Sequence, residues 1–447
     1  FMKKFIDTIK NIWKIEELKN RILLTLGFLL IYRIGAAVVL PGIDPAGLQS
    51  FSARSGEGLL GLLDMFTGGA FGKASILALG IMPYISASIV VQLLGMAVPY
   101  MQKLQKEGES GRNKLNQITR YLTIIITLVQ APGFLAALPE EAFVQFGTPA
   151  MDGFYYFLRI IILMTGTMFA MWLGERITDR GIGNGISILI MVGIIAQLPV
   201  SFLSEFAQKV GGNQGGGALM FLMEITIMMI IILFSILIVQ GVRRVPVQVA
   251  KRVVGGANPV GGVRQYIPLK VTAAGVMPII FAQAIMFIPI TVASSFSDNA
   301  QAGWFITEFS NISGFWYNFT FAVLIIVFTF FYTAITINTN RMAEDMKRNG
   351  GFVPGIKPGK DTATFLDSIM TKITFPGAVF LAIIAILPAF VMQADVNPTF
   401  AQFFGGTSLL IMVGVVLDTL QQIESYLLAR HYDGLMKTGR IQGRSGM

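Results

Sequence analysis

The chain has no cysteine and a single histidine, His431. The first absence excludes disulfides, thiolate metal centres and cysteine nucleophiles. The second excludes His-rich metal sites and most histidine-based catalysis. Charge is scarce as well. Asp, Glu, Lys and Arg make up 13% of the 447 residues, against about 25% in a soluble domain. With 54% hydrophobic residues and a mean hydropathy of +0.66, that scarcity excludes an ordinary soluble enzyme. No H-E-x-x-H, His–Asp–Ser set or phosphate loop is present. The glycine-rich stretch 211–217 has no Lys-Ser/Thr after it and reads as a linker. Nothing in the chain calls for a metal or a cofactor.

What the chain does have is long apolar runs. A hydrocarbon core of about 30 Å needs about 20 mostly apolar residues per helix. Ten runs qualify, near 22–40, 76–98, 121–138, 154–173, 183–199, 218–240, 271–293, 316–337, 374–392 and 407–425. The fifth is the shortest. Phe1 precedes Met2, and the reading starts from Met2. The stretch Lys3–Arg21 is charged and amphipathic. It reads as a membrane-surface segment rather than a cleavable signal, because the first apolar run after it is a full span.

Lys and Arg outnumber Asp and Glu by 34 to 25, a formal charge of +9. The N-terminus, the even-numbered loops and the C-terminal tail hold 29 of the basic residues, and the odd-numbered loops hold 3. The positive-inside rule then puts both termini in the cytoplasm, as an even number of spans requires. Loops 99–120, 241–270 and 338–373 are long and basic. They serve topology alone, or they form a docking surface for a large partner rich in acid or phosphate.

Ala78-Leu79-Gly80-Ile81-Met82-Pro83 recurs as Ala273-Ala274-Gly275-Val276-Met277-Pro278. The copies lie in the second span of each half, and those spans run in opposite directions. The pattern points to an inverted-topology repeat of spans 1–5 and 6–10. Proline inside a helix removes a backbone donor, so both spans are expected to be loosened or kinked there.

The spans hold almost no ionisable groups: Arg33 in the outer half of span 1 and Arg159 within or at the edge of span 4, with Asp418 and Glu424 in span 10. Gln92, Gln130, Gln283, Ser86, Ser88 and Thr127 are the polar residues on offer. An inverted-repeat secondary transporter would need a midplane carboxylate or an anion-facing half-helix. An intramembrane enzyme would need a nucleophile and a base. A passive conduit needs neither. The apolar stretch 59–69 is too short to span. By pattern alone it reads as a surface helix, with a re-entrant helix as the other choice.

Several blocks are familiar in order along nearly the whole chain. They are Met65–Ala70 through Ala78–Ile89, Lys106–Arg112, Trp172–Ser187 and Phe352–Gly359. On these blocks the chain resembles the bacterial SecY family, the channel subunits of the Sec protein translocase. The resemblance implies an all-α polytopic membrane protein, ten transmembrane helices in two five-helix inverted repeats, with a short plug helix. The organisation expected is 1–21 cytoplasmic, 22–199 first half with the plug at about 59–72, 200–217 external linker, 218–425 second half, and 426–447 cytoplasmic tail.

The function implied is a protein-conducting channel that releases hydrophobic segments sideways into the bacterial cytoplasmic membrane. The resemblance assigns a pore ring to Ile81, Ile85, Ile190, Ile280 and Ile411. It assigns the plug to Leu62, Met65, Phe66, Gly68 and Gly69, which reverses the surface-helix reading. It assigns the lateral gate to Pro83, Ile89, Gln92, Gln130, Pro278 and Gln283, and contacts with the motor or ribosome to Arg243, Arg244, Lys251, Arg252 and Lys357. Family members usually carry Arg where Lys357 stands, so the bidentate fork of that side chain is missing here. The partners implied are SecE, SecG, the SecA motor ATPase, the ribosome, signal peptides, nascent polypeptides, SecDF, YidC and membrane lipids, with no direct DNA binding.

Overall fold

A computed structural model describes residues 13, 15–48, 58–144, 149–211, 217–249, 264–272, 275–294, 308–309, 311–394 and 396–438. Each expected span has a helix. In chain order the helices are α1 (Glu16–Ala37), α2 (Gly58–Thr67), α3 (Met82–Ala97), α4 (Pro99–Lys106), α5 (Glu109–Ala137), α6 (Pro149–Arg180), α7 (Gly185–Gly211) and α8 (Gly217–Val239). After them come α9 (Met277–Ser294), α10 (Phe315–Thr336), α11 (Thr339–Arg348), α12 (Lys360–Met392), α13 (Pro398–Ala401) and α14 (Gly406–Thr438). Among the described residues eight helices are long and apolar enough to cross a membrane. A ninth candidate is the pair Met82–Gly95 and Pro99–Gln105, bent by 102°, and Met277–Met286 is a shorter apolar helix. Satisfying every backbone group inside lipid is what imposes this helical solution.

The second span departs from expectation. Residues 70–81 form successive turns rather than helix, and α3 begins only at Met82. Its 16 residues rise about 24 Å, less than the hydrocarbon thickness. Pro83 is therefore not a kink inside a helix. It occupies the first turn, where its missing N–H costs nothing. Pro278 holds the same place at the start of α9. The two copies of the repeat share more than sequence. Gly80 has φ of 52° and Gly275 of 61°, the left-handed region open to glycine. Gly80 N donates to Leu77 O and Gly275 N to Thr272 O, each at 2.9 Å and each three residues back. Ala273 and Ala274 lie outside the described residues. The motif is thus a turn that starts a helix.

Loop 99–120 also differs. It is helix α4 and the first turns of α5, hinged at Gly108. Loops 241–270 and 338–373 contain a sheet that the apolar-run reading passed over. Strand β1 (Val242–Val249) pairs antiparallel with β2 (Arg264–Lys270) and with β3 (Gly351–Phe352), in the order β2-β1-β3. Val245, Val247, Leu269 and Val353 pack with Leu366 and Met370 of α12 into a separate small core.

The chain divides into two compact units, residues 1–197 with 414–447, and residues 198–413. Unit 1 includes the end of α14 for a visible reason. Gly183 N donates to Gln422 Oε1 at 2.8 Å, and the Arg21 guanidinium stacks on Tyr426 at 5.2 Å. Another core in unit 1 joins Leu40, Ile43, Phe71, Ala74 and Ala78 to Phe134, Leu135 and Leu163. Arg159, 4% exposed, closes it by donating to the carbonyls of Pro41 (3.1 Å) and Gly42 (2.7 Å).

In unit 2, Glu205, Lys209 and Glu224 are buried together. Lys209 Nζ lies 3.4 Å from Glu224 Oε1 and 3.9 Å from Glu205 Oε1, and Asn397 N donates to Glu205 Oε2 at 3.0 Å. This corrects the expectation that Arg33, Arg159, Asp418 and Glu424 are nearly all the ionisable groups in the spans. Helix α7 runs past the expected end at 199 to Gly211, carrying Glu205 and Lys209 with it. Glu224 sits inside span 6.

Candidate functional site

Unit 1 contains α2, whose sequence Gly-Leu-Leu-Gly-Leu-Leu-Asp-Met-Phe-Thr explains its placement. Ten residues rise about 15 Å, half of what a span needs, and its apolar side chains require cover. Met65 is fully buried and Phe66 is 8% exposed. A surface helix would leave them in solvent or lipid, so the pattern-only reading is corrected. The helix ends because Gly68 and Gly69 turn it. Their φ values are 66° and 85°, Gly69 N donates to Asp64 O at 2.8 Å, and Gly68 N donates to Met65 O at 3.1 Å. This pair of bonds is a Schellman ending. Thr67 Oγ1 then accepts from Phe71 N, tying the helix end to the turns that follow.

Three polar side chains attend that ending. Arg33 of α1 donates from Nη1 to Gly68 O at 2.9 Å. Gln197 of α7 donates from Nε2 to Asp64 Oδ2 at 2.7 Å and to Asp64 O at 3.1 Å. Gly72 N donates to Asp64 Oδ1 at 2.7 Å. Hydrogen bonds to charged groups contribute about 1.5–3 kcal/mol each. Burial pushes the Asp64 carboxyl up from the ordinary aspartate range. The Gly72 N–H, the Gln197 amide and the Lys73 charge pull in the other direction. Backbone meets backbone beside this network: a Cβ on Gly193 of α7 would sit 2.5 Å from Phe66 O.

The sequence had singled out Met65, Phe66, Gly68 and Gly69, and all four take part in this arrangement. Leu62 belongs to α2, but its side chain lies outside the described residues. Asp64 and Gln197 were not singled out, and Arg33 was noted only as a charge. Asp64 did carry a signal, as the lone charge in an apolar run.

The five isoleucines are all buried: Ile81 (4%), Ile85 (7%) and Ile190 (5%) in unit 1, Ile280 (8%) and Ile411 (1%) in unit 2. Pro83, Ile89 and Pro278 are buried, and Gln92 and Gln130 are half-buried. Gln92 Nε2 donates to Ser88 Oγ at 3.3 Å within α3. Gln283, 2% exposed, donates to Tyr317 Oη at 3.4 Å, joining α9 to α10. Arg243 and Arg244 are exposed on β1, and Lys357 is exposed in the turn before α12. Lys251 and Arg252 lie outside the described residues. Arg243 and Arg244 thus stand on the sheet, and Lys357 follows strand β3 of the same sheet.

Comparison with known proteins follows the same lines. The family model for SecY matches residues 75–420. A protein translocase subunit SecY from Halalkalibacterium halodurans is 43% identical over 438 residues, covering 96% of this chain and 99% of that one. Among solved structures, a protein-conducting channel is similar at a TM-score of 0.60 and 18% identity, covering 95% of both chains. Sec61 in the canine ribosome-channel complex from the endoplasmic reticulum is similar at 0.59 and 18%, again over 95% of both.

Proposed function

This chain belongs to the SecY family; it is a multi-pass protein-conducting channel and not an enzyme, and we propose that α2 is the plug that closes it. The observation that carries this reading is a ten-residue apolar helix whose Met65, Phe66 and Thr67 are buried in unit 1 and whose end is held by side chains from α1 and α7. Non-spanning backbone of this kind is tolerated only when packed in protein or lining a cavity. An inverted-repeat secondary transporter finds no support among the relatives, which are translocase subunits.

The five isoleucines are assigned to the constriction. Bulky aliphatic side chains there oppose ion leak by dewetting and still yield around a passing chain. Pro83, Ile89, Gln92, Gln130, Pro278 and Gln283 are assigned to a lateral exit. Partitioning drives that exit, at about 0.8 kcal/mol for each CH₂ moved from water to lipid. Arg243, Arg244, Lys251, Arg252 and Lys357 are assigned to the ribosome or to SecA, which supply the energy. The ribosome is supported by the similar Sec61 in its ribosome complex. SecE and SecG complete the channel, with SecDF and YidC as accessory partners. The membrane is the bacterial cytoplasmic membrane, with both termini inside, as the basic-residue count of 29 against 3 supports.

The test uses the absence of native cysteine. Single cysteines replace Ile85, Ile190, Ile280 and Ile411 in turn, and a secretory chain stalled in the channel carries a crosslinker. Adducts at these positions are expected. A stalled chain that crosslinks to none of the four overturns the pore assignment.

A further inference from the structure

We propose that Arg33, Asp64 and Gln197 form a latch that holds α2 in its docked place and sets how readily it leaves. The proposal rests on the reading of α2 as the plug and adds what restrains it. Apolar contact alone is non-directional; it covers Met65 and Phe66 but does not fix the helix along its axis. The three polar residues do. Arg33 takes the Gly68 carbonyl from the α1 side, at the C-terminal end of α2, where a cation also suits the helix dipole. Gln197 takes both the carboxylate and the main-chain carbonyl of Asp64 from the α7 side. Asp64 also accepts from Gly72 N, so the carboxylate ties α2 to the turns that lead to α3. All four contacts converge on the last turn of one short helix. Gly193 lets α7 approach closely enough for Gln197 to reach, since a Cβ there would meet Phe66 O.

The test is the ion conductance of the idle channel, purified with its accompanying subunits and reconstituted in planar bilayers. Gln197→Glu sets a carboxylate against Asp64 and is expected to raise the leak at least tenfold. Arg33→Leu is expected to raise it as well. The exchange Asp64→Asn with Gln197→Glu restores a donor facing an acceptor between the two side chains, though not the bond to the residue 64 carbonyl, and is expected to lower the leak at least threefold from that of Gln197→Glu alone, which a merely misfolded variant would not do. Deleting residues 59–70 serves as the reference for an absent plug. A leaking deletion with Gln197→Glu and Arg33→Leu both within twofold of the parent overturns the latch and leaves the plug standing. A deletion that leaks no more than the parent overturns the plug itself. If Gln197→Glu cannot be recovered, Arg33→Leu and the exchange decide alone: a parental leak in Arg33→Leu, or an exchange as leaky as the deletion, overturns the latch.

Discussion

Gly193→Ala separates docking of the plug from folding of the chain. The added Cβ would lie 2.5 Å from Phe66 O, 3.2 Å from Phe66 C and 3.2 Å from Gly68 N. A carbon and a carbonyl oxygen rest at about 3.3–3.6 Å, so the gap must widen by roughly 0.8 Å. The obstacle is backbone in a Schellman ending, which cannot rotate aside, so α2 must move as a whole. The same shift stretches the Gln197–Asp64 contact from 2.7 Å to about the limit of a hydrogen bond. Overpacking alone costs about 1–3 kcal/mol. A central figure of about 2 kcal/mol multiplies the undocked fraction by roughly 30. Helix propensity acts oppositely, because alanine stabilises α7 by about 1 kcal/mol over glycine in docked and undocked states alike. Gly193→Ala should therefore keep the parental melting temperature while its idle conductance in bilayers rises by an order of magnitude. Gly133→Ala is the control, since nothing lies within 4 Å of its added Cβ, and it should leak as the parent does. A Gly193→Ala channel as tight as that control refutes the steric argument.

Two further predictions concern charge. Because burial raises the docked Asp64 carboxyl above the ordinary aspartate value, the docked state binds the proton more tightly than the undocked one. Docking gains this stability fully below the ordinary aspartate value and loses it as pH rises through the raised docked value. Idle leak should fall on acidification across that window, and Asp64→Asn should flatten the response; a leak that grows with acid would contradict the sign. On the sheet, Val247 is 5% exposed, so Val247→Asp should cost several kcal/mol and open residues 241–270 to trypsin. Arg243→Glu with Arg244→Glu should change stability by no more than about 0.5 kcal/mol while weakening ribosome binding, and parental binding by that double variant would remove the assignment.

The spans were legible because lipid leaves a sequence few choices: long apolar runs with basic flanks. The turns at 70–81 were not, since apolar residues look alike whether they coil into a helix or cover a core. Only the left-handed Gly80 and the first-turn Pro83 distinguish the two, and the recurrence of that pair at Gly275 and Pro278 was the readable clue. The sheet left a fainter mark, Val245, Val247 and Val249 alternating in a basic loop, which a search for apolar runs passes over. Asp64 was visible as an isolated charge, but its partner Gln197 is 133 residues away, and nothing in the spacing joins them.

Charged groups inside the protein are bonded in two ways, and the difference bears on motion. Lys209 lies between Glu205 and Glu224, and removing one member of such a group strands a buried charge, at about 3–5 kcal/mol. Such a group suits parts that stay in place. At the plug, by contrast, each charged group bonds a neutral partner: Arg33 a carbonyl, Asp64 an amide side chain and a backbone N–H. Among the described residues no ion pair joins α2 to its surroundings, so when α2 leaves water can replace each bond singly. A closure made this way holds against thermal opening and still yields to the binding energy of an arriving polypeptide. A plug fastened by an ion pair such as Lys209–Glu224 would hold more firmly and open less readily.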